Sequence, residues 1–393
     1  MPNPLAGRGR RVRISLAALA LLAAAGLTLP AAAAGEVTRP LRSALTPAAG
    51  ATLDLENIAG KLRIEPSTGT ELVIEGTVHA ESAALADTLR LELAPAGDRI
   101  VAKLTYPLDE HRKYIYPGKD GGGILGGLSQ SNGKFQGRDV TVYSGSRGGA
   151  VLLYCDLAIK IPAGHGAKLR TLAGTIDAER VHGDLSLDTG GGDVTARSTA
   201  GALGIDTGSG NVSVDTHQGK LAVDTGSGDV RLATVQGDVT VDTGSGSIDG
   251  HGLRGERASF DTGSGDVRLE EVTGSLTLDT GSGSVVATRI AAGSEVNANT
   301  GSGDVRLAGD FSRVRKLVAD TGSGDVVIEP TGDFPPLRLE VSTSSGGVDV
   351  KLPGLTVERN GHGELAGRVG NGESGLARID TGSGDVTVRA AAR

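Results

Sequence analysis

Glycine returns every nine residues through the middle of the chain. Gly174, Gly183, Gly192, Gly201, Gly210, Gly219, Gly228, Gly237, Gly246 and Gly255 keep step, and after one inserted residue the series runs on through Gly265, Gly274 and Gly283. It then loosens to Gly293 and Gly303, with Gly324 beyond. The glycines are followed by polar and apolar residues in alternation, as in "GNVSV" (210–214), "GKLAV" (219–223) and "GDVRL" (228–232). Period-two alternation is the mark of a strand with one buried face. Four or five strand residues and a glycine turn fill the nine.

The nonapeptides come in two kinds. One carries the turn "DTGSG", at 188 (as DTGGG), 206, 224, 242, 261, 279, 320 and 380, with "NTGSG" at 299; the other has a shorter turn such as "VQG" or "VHG". Two nonapeptides therefore make a unit of about 18 residues. Neither strand can bury its Val/Leu face alone, but coiling the chain so that each unit stacks on the last buries every face in one core. The expected fold is all-β: a single-chain β-solenoid (β-helix) rising about 4.8 Å per rung. In "LAVDTGSGDVRL" (221–232), Leu221, Val223, Val230 and Leu232 should face the core. The turn glycines are expected at positive φ, and the turn Asp is expected to cap backbone N–H groups two and three residues on. With no Trp, 5 Tyr and 4 Phe, the core must be narrow and built from Val, Leu, Ile, Ala and Thr.

Outside the repeat, Arg8, Arg10, Arg11 and Arg13 precede an apolar run (14–30) and small residues at 31–35, which reads as a signal peptide over 1–34 cleaved near Ala34. Arg10-Arg11 is a weak twin-arginine signal. Residues 35–105 read as N-terminal strands and first rungs, with 52–79 the first regular stretch. Residues 106–150 are a Gly/Tyr-rich excursion, and 151–393 are solenoid repeats with a second loop excursion at 352–375 and a closing rung at 376–388. Removing the four leader arginines from 39 basic residues leaves 35 against 47 acids, a net of −12. That excludes a nucleic-acid partner, which wants a basic footprint. Cys155 has no partner for an internal disulfide and reads as a small buried strand residue. No integral membrane domain is expected in the mature chain.

The segments "ENIAGKLRIEP", "LAIKIPAG", "TLAGTIDAERVHGDLSLDTGGGDV", the "DTGSGDV" rungs and a final "IDTGSGDVTV" resemble a bacterial family of secreted or membrane-attached β-strand-repeat proteins called "putative adhesins". The resemblance covers roughly residues 50–390. It implies an exported, non-enzymatic surface or cell-envelope module, periplasmic or extracellular, whose partner is an envelope glycan or protein. It supplies no catalytic residues.

An isolated Asp-Thr-Gly also resembles the catalytic segment of an aspartic protease, but such an enzyme needs two facing carboxylates sharing a proton. Here the motif recurs mostly every 18 or 19 residues, which stacks the acids in a row. Calcium-binding nonapeptides place Gly and Asp differently, so no metal or cofactor site is assigned. The consecutive Asp188, Asp206, Asp224, Asp242, Asp261 and Asp279 are nonetheless the column best suited to Ca2+. After the last glycine of each long turn come Asp193, Asn211, Asp229, Ser247, Asp266, Ser284, Asp304 and Asp325; the position two residues further on holds, from 231 onward, Arg231, Asp249, Arg268, Val286, Arg306 and Val327. This alternation reads as charge management on an exposed sheet face. Arg231, Arg268 and Arg306, with Asp229, Asp266 and Asp304, are the one regular charged set that could imitate a polysaccharide-binding or polysaccharide-processing β-helix. They repeat identically, whereas catalysis needs unequal groups. The seven histidines do not cluster in sequence, "GKDGGGILGG" (118–127) lacks the ending of a phosphate loop, and Tyr106, Tyr114, Tyr116, Tyr143 and Tyr154 gather around the first excursion, as an end cap or a ligand loop.

Overall fold

A computed structural model describes residues 36–117, 130–146 and 148–390. The leader at 1–34 and the glycine-rich 118–127 lie outside the described residues. No helix among those described is long and apolar enough to cross a membrane.

Each coil contributes two strands, and the strands stack in parallel into two sheets. In sheet I, Leu185, Leu203, Leu221, Val239, Ala258, Leu276, Val296 and Leu317 stand in register. In sheet II the equivalent column is Val194, Val212, Val230, Ile248, Val267, Val285, Val305 and Val326. Leu221, Val223, Val230 and Leu232 are all buried, so the alternation reads through to the core as expected. Later strands, such as Ile248–Thr262, run through the corner and serve sheet II with their first half and sheet I with their second. The inserted residue of the glycine series is absorbed there, as a register shift between Arg254 and Arg257.

The "DTGSG" corner is built differently from the expectation. Thr225, not Asp224, ties the turn. Its buried hydroxyl accepts from the Gly228 N–H (3.2 Å) and donates to the Gly210 carbonyl of the preceding rung (3.2 Å). The same pair of bonds recurs at Thr243, Thr262, Thr280, Thr300 and Thr321. In the first rung Asn57 stands in register with Thr171 and bonds the Cys155 carbonyl (2.8 Å) and the Tyr106 hydroxyl (2.7 Å). The short-turn glycines Gly201, Gly219, Gly237 and Gly274 do sit at positive φ, as does Gly192, but the DTGSG glycines such as Gly210, Gly228 and Gly246 do not. They are there because rungs touch: a Cβ on Gly228 would stand 1.8 Å from the Gly210 oxygen.

Positive φ is concentrated at the other corner, where it falls on non-glycine residues as well as on glycines such as Gly219 (134°) and Gly237 (142°). Arg180 (55°), Ser198 (53°), Thr216 (59°), Thr234 (54°), Glu271 (58°) and Arg289 (51°) occupy one position in successive rungs, and Gly252 (68°) fills the gap in the series. A left-handed residue costs about 1–2 kcal/mol when it carries a side chain. Buried neighbours such as Val235 and Val272 hold the corner in place.

The ends depart from the regular coil. Thr52–Ala59 and Leu62–Pro66 form the first rung, but Leu72–Ala80 does not continue it: it runs antiparallel to Val151–Ile161 and to Val37–Leu45. Arg90–Ala96 and Arg99–Thr105 make a hairpin that ends sheet I. Cys155 is fully buried in Val151–Ile161. Described parts of the 106–150 excursion form a small separate sheet against that strand. There Tyr106 meets Tyr114 and Phe135 edge to face at 5.6 and 5.4 Å, with all three buried. Those rings are core, which supports a cap and leaves Tyr106 and Tyr114 unavailable to a ligand.

The last rung is not last in the stack. Leu376–Thr381 pairs on one side with Lys316–Thr321 and on the other with Arg338–Thr343. Val386–Arg389 lies likewise between Val326–Pro330 and Val348–Lys351. The segment read as the closing rung is therefore inserted before an earlier one. The 352–375 excursion supplies Leu355–Gly361 and Glu364–Val369, an antiparallel hairpin on Arg338–Thr343 that ends sheet I.

Candidate functional site

The outward faces carry three different rows. On sheet I, Asp188, Asp206, Asp224, Asp242, Asp261 and Asp279 stand in continuous register, one carboxylate per rung. Arg170 closes one end, bonding Asp188 at 2.7 Å and reaching Glu56 at 3.5 Å. Asn299 interrupts the other end before Asp320 and Asp380. Partial burial, and then the charges of Asp188 and Asp224, raise the pKa of Asp206; burial and then Asp279 and Asp242 do the same to Asp261. The row is self-repelling.

The second row explains the acid/neutral alternation. The Asn211 N–H donates to Asp193 Oδ1 (3.0 Å), Asp229 N–H to Asn211 Oδ1 (2.9 Å), Ser247 N–H to Asp229 Oδ1 (3.0 Å) and Ser284 N–H to Asp266 Oδ1 (2.8 Å). Every occupant is an acceptor for the next rung. Asn and Ser do this without charge, so repulsion is diluted while the ladder of bonds persists. Asp266 is held below the usual carboxylate range by the Ser284 N–H first and, against the opposing effect of burial, by Arg268.

The third row is on sheet II. Arg231, Asp249, Arg268, Val286, Arg306 and Val327 share one line, as the spacing implied. Arg231 stands 3.8 Å from Asp229 and Arg268 2.5 Å from Asp266, but Arg306 pairs with Glu329 (2.7 Å) rather than with Asp304. A parallel line, two residues further along each strand, holds Asp215, Ala233, His251, Glu270 and Thr288. Short Ala233, Val286 and Thr288 lie among long neighbours, and a groove of about 470 Å3 opens between the two lines. Its lining includes Arg231, Asp249 and Arg268 from one line and Asp215, His251 and Glu270 from the other. His251 faces Glu270 at 3.5 Å and Glu271 at 3.7 Å, and Arg289 pairs with both acids. Only the first line was followed in the sequence; the second was there to be found at the next outward position.

A separate cluster had no sequence signal. His79 Nδ1 lies 2.5 Å from Glu36 and Nε2 3.6 Å from Asp156, and its ring stacks on Tyr154 at 4.4 Å. The Tyr154 hydroxyl donates to Glu36 (3.2 Å), and Tyr116 packs edge-on against Tyr154. Burial alone would lower the His79 pKa, but Asp156 and Glu36 outweigh it and raise it. Among the described residues no three His, Cys, Asp or Glu side chains converge as metal ligands would.

The family model described as Toastrack DUF4097 matches residues 155–248 and 215–389. No curated protein matches the chain. Two solved structures align over most of its length. One, described as a putative cell adhesion protein from Clostridium sporogenes, is 11% identical, covers 90% of this chain and 100% of its own, and has a TM-score of 0.20. The other, described as a putative adhesin from Bacteroides fragilis, is 9% identical, covers 89% of this chain and 97% of its own, and has a TM-score of 0.26. Superpositions that loose carry no functional weight.

Proposed function

The chain belongs to the Toastrack DUF4097 family, and from that premise we propose that it is an exported, non-enzymatic binding module of the cell envelope or cell surface, with its ligand site in the groove on sheet II. The groove is the observation that carries this reading. At about 470 Å3 it falls within the size range of ligand sites. Arg231 and Arg268, with Asp249 in register between them, offer forked donors and an acceptor on one wall, and Asp215 and Glu270 offer acceptors on the other. Donors and acceptors interspersed along an open trough suit a hydroxyl-rich chain such as an envelope glycan. Export is supported by the basic and apolar leader at 1–34.

The charged set that could imitate a polysaccharide-processing enzyme is occupied otherwise. Asp229 and Asp266 each accept the N–H of the next rung. A carboxyl held low, as Asp266 is, is a poor proton donor at neutral pH. These observations favour binding over catalysis. The experiment is a panel of neutral and acidic envelope polysaccharides tested against the wild type and Arg231→Glu/Arg268→Glu. Binding should fall about tenfold or more in the variant, as expected for lost charge-assisted hydrogen bonds, under conditions where circular dichroism shows the variant to be fully folded. Equal binding by both proteins overturns the groove as the site, and cleavage of a polysaccharide overturns the non-enzymatic reading.

A further inference from the structure

In the regular coil each rung is joined by short connections to the rungs it stacks on. The rung at 376–389 is not. One wall of its slot is Lys316–Thr321 with Val326–Pro330, and the other is Arg338–Thr343 with Val348–Lys351. It reaches both through the hairpin at 355–369 and the exposed turn that follows, where Gly370 and Gly372 sit at φ 58° and 71°.

What holds the rung is carried by the rung and the two walls. The Thr381 hydroxyl donates to the Gly324 carbonyl (2.8 Å), and the Thr343 hydroxyl donates to the Gly384 carbonyl (2.9 Å). The Asp385 N–H donates to Asp325 Oδ1 (2.8 Å), and the Gly347 N–H donates to Asp385 Oδ1 (2.7 Å). Ala377, Ile379, Val386 and Val388 are fully buried. A Cβ on Gly384 would stand 1.9 Å from the Gly324 oxygen, so the fit is specific to the glycine turn. None of these contacts requires that the rung belong to the same chain as its walls. If the slot were empty, it would expose sheet edges and an apolar strip on both sides, which sheet proteins avoid.

We propose that this slot is a strand-exchange site, and that its occupant in trans is residues 376–389 of a second copy of the chain, joining copies through their C-terminal ends. Exchange of an identical element through a hinge loop is a low-cost route to a dimer, and the turn at 370–375 is the connection that would serve as that hinge. The proposal is independent of the groove on sheet II.

The test places a protease site in the full-length chain at Gly370–Glu373, cuts it, and adds a fluorescent peptide of residues 376–389. The peptide should replace the cut segment and saturate at one per chain. Peptides with Thr381→Val or Gly384→Val should enter about tenfold more weakly or not at all, since each removes or obstructs a buried contact. Failure of the wild-type peptide to enter a cut chain that keeps its strands overturns the proposal, and so does equal entry of all three peptides. Should cutting unfold the chain, uncut copies carrying two different tags are mixed, warmed to near Tm and cooled. Heterodimers that vanish with Gly384→Val support exchange; monomers alone overturn it.

Discussion

The Thr225 hydroxyl donates to the carbonyl of Gly210, 3.2 Å away and one rung earlier, while accepting the N–H of Gly228 in its own turn. One side chain thus closes a corner and staples it to its neighbour. Thr225→Val keeps the shape and removes both bonds. Because Thr225 is buried, the freed N–H and carbonyl lose a partner where water is scarce. The expected cost is about 1–3 kcal/mol, read from the midpoint of urea unfolding. Thr225→Ser keeps the hydroxyl and should recover most of the loss. Equal destabilisation by Val and Ser would assign the effect to packing instead.

The solenoid was legible because its signal is repeated: a nine-residue glycine spacing with period-two alternation leaves few folds, and it named Leu221, Val223, Val230 and Leu232 as core. Roles inside the turn were misassigned for a physical reason. Sequence shows that Asp, Thr and two glycines recur together, but not which of them points inward. Thr does, because the position continues the alternation begun by Leu221 and Val223; Asp224, one step out of phase, points to solvent. Gly228 is required by an approach between rungs that no single turn displays. The left-handed residues Thr216 and Thr234 are not themselves glycines, so the sequence pointed only to Gly219 and Gly237 three residues on. The insertion of 376–389 was hidden by its own regularity, since its "DTGSGDV" fits any slot in the stack. The His79 cluster joins Glu36, His79 and Asp156 across long sequence gaps and belongs to no repeat.

Asp206 lies between Asp188 and Asp224 in an unbroken column of carboxylates. Partial burial and these neighbours raise its pKa. A carboxyl raised in the folded state contributes stability that is present below its unfolded pKa and lost as pH rises through the folded one. At neutral pH the column is therefore a net cost. Asp206→Asn should raise Tm at pH 7 by about 1–3 °C, the scale of a relieved like-charge cross-strand pair in a domain of this size. The gain should shrink with added NaCl, which screens exposed charges, and disappear near pH 3.5. The opposite result, with Asp206→Asn lowering Tm and Ca2+ raising that of the wild type, would make the column a cation site.

Two buried histidines should pull stability in opposite directions with pH. His79 is raised: burial is outweighed by Asp156 and Glu36, the acids that flank its two ring nitrogens. The stability it contributes is full below the unfolded pKa of about 6.5 and is lost as pH rises through the folded value. His217 is lowered, chiefly by burial. Its Nδ1 meets the Thr199 hydroxyl at 2.9 Å, and its Nε2 has no protein partner among the described residues. Its contribution is present above about 6.5 and is lost as pH falls through the folded value. His79→Gln should therefore lower the urea midpoint more at pH 5.5 than at pH 8.5. His217→Val, which completes the apolar column with Val235, should raise it at pH 5.5 relative to the wild type. The two pH-difference curves should have opposite slopes; slopes of the same sign would mean that at least one imidazole is not in the charge state its surroundings impose.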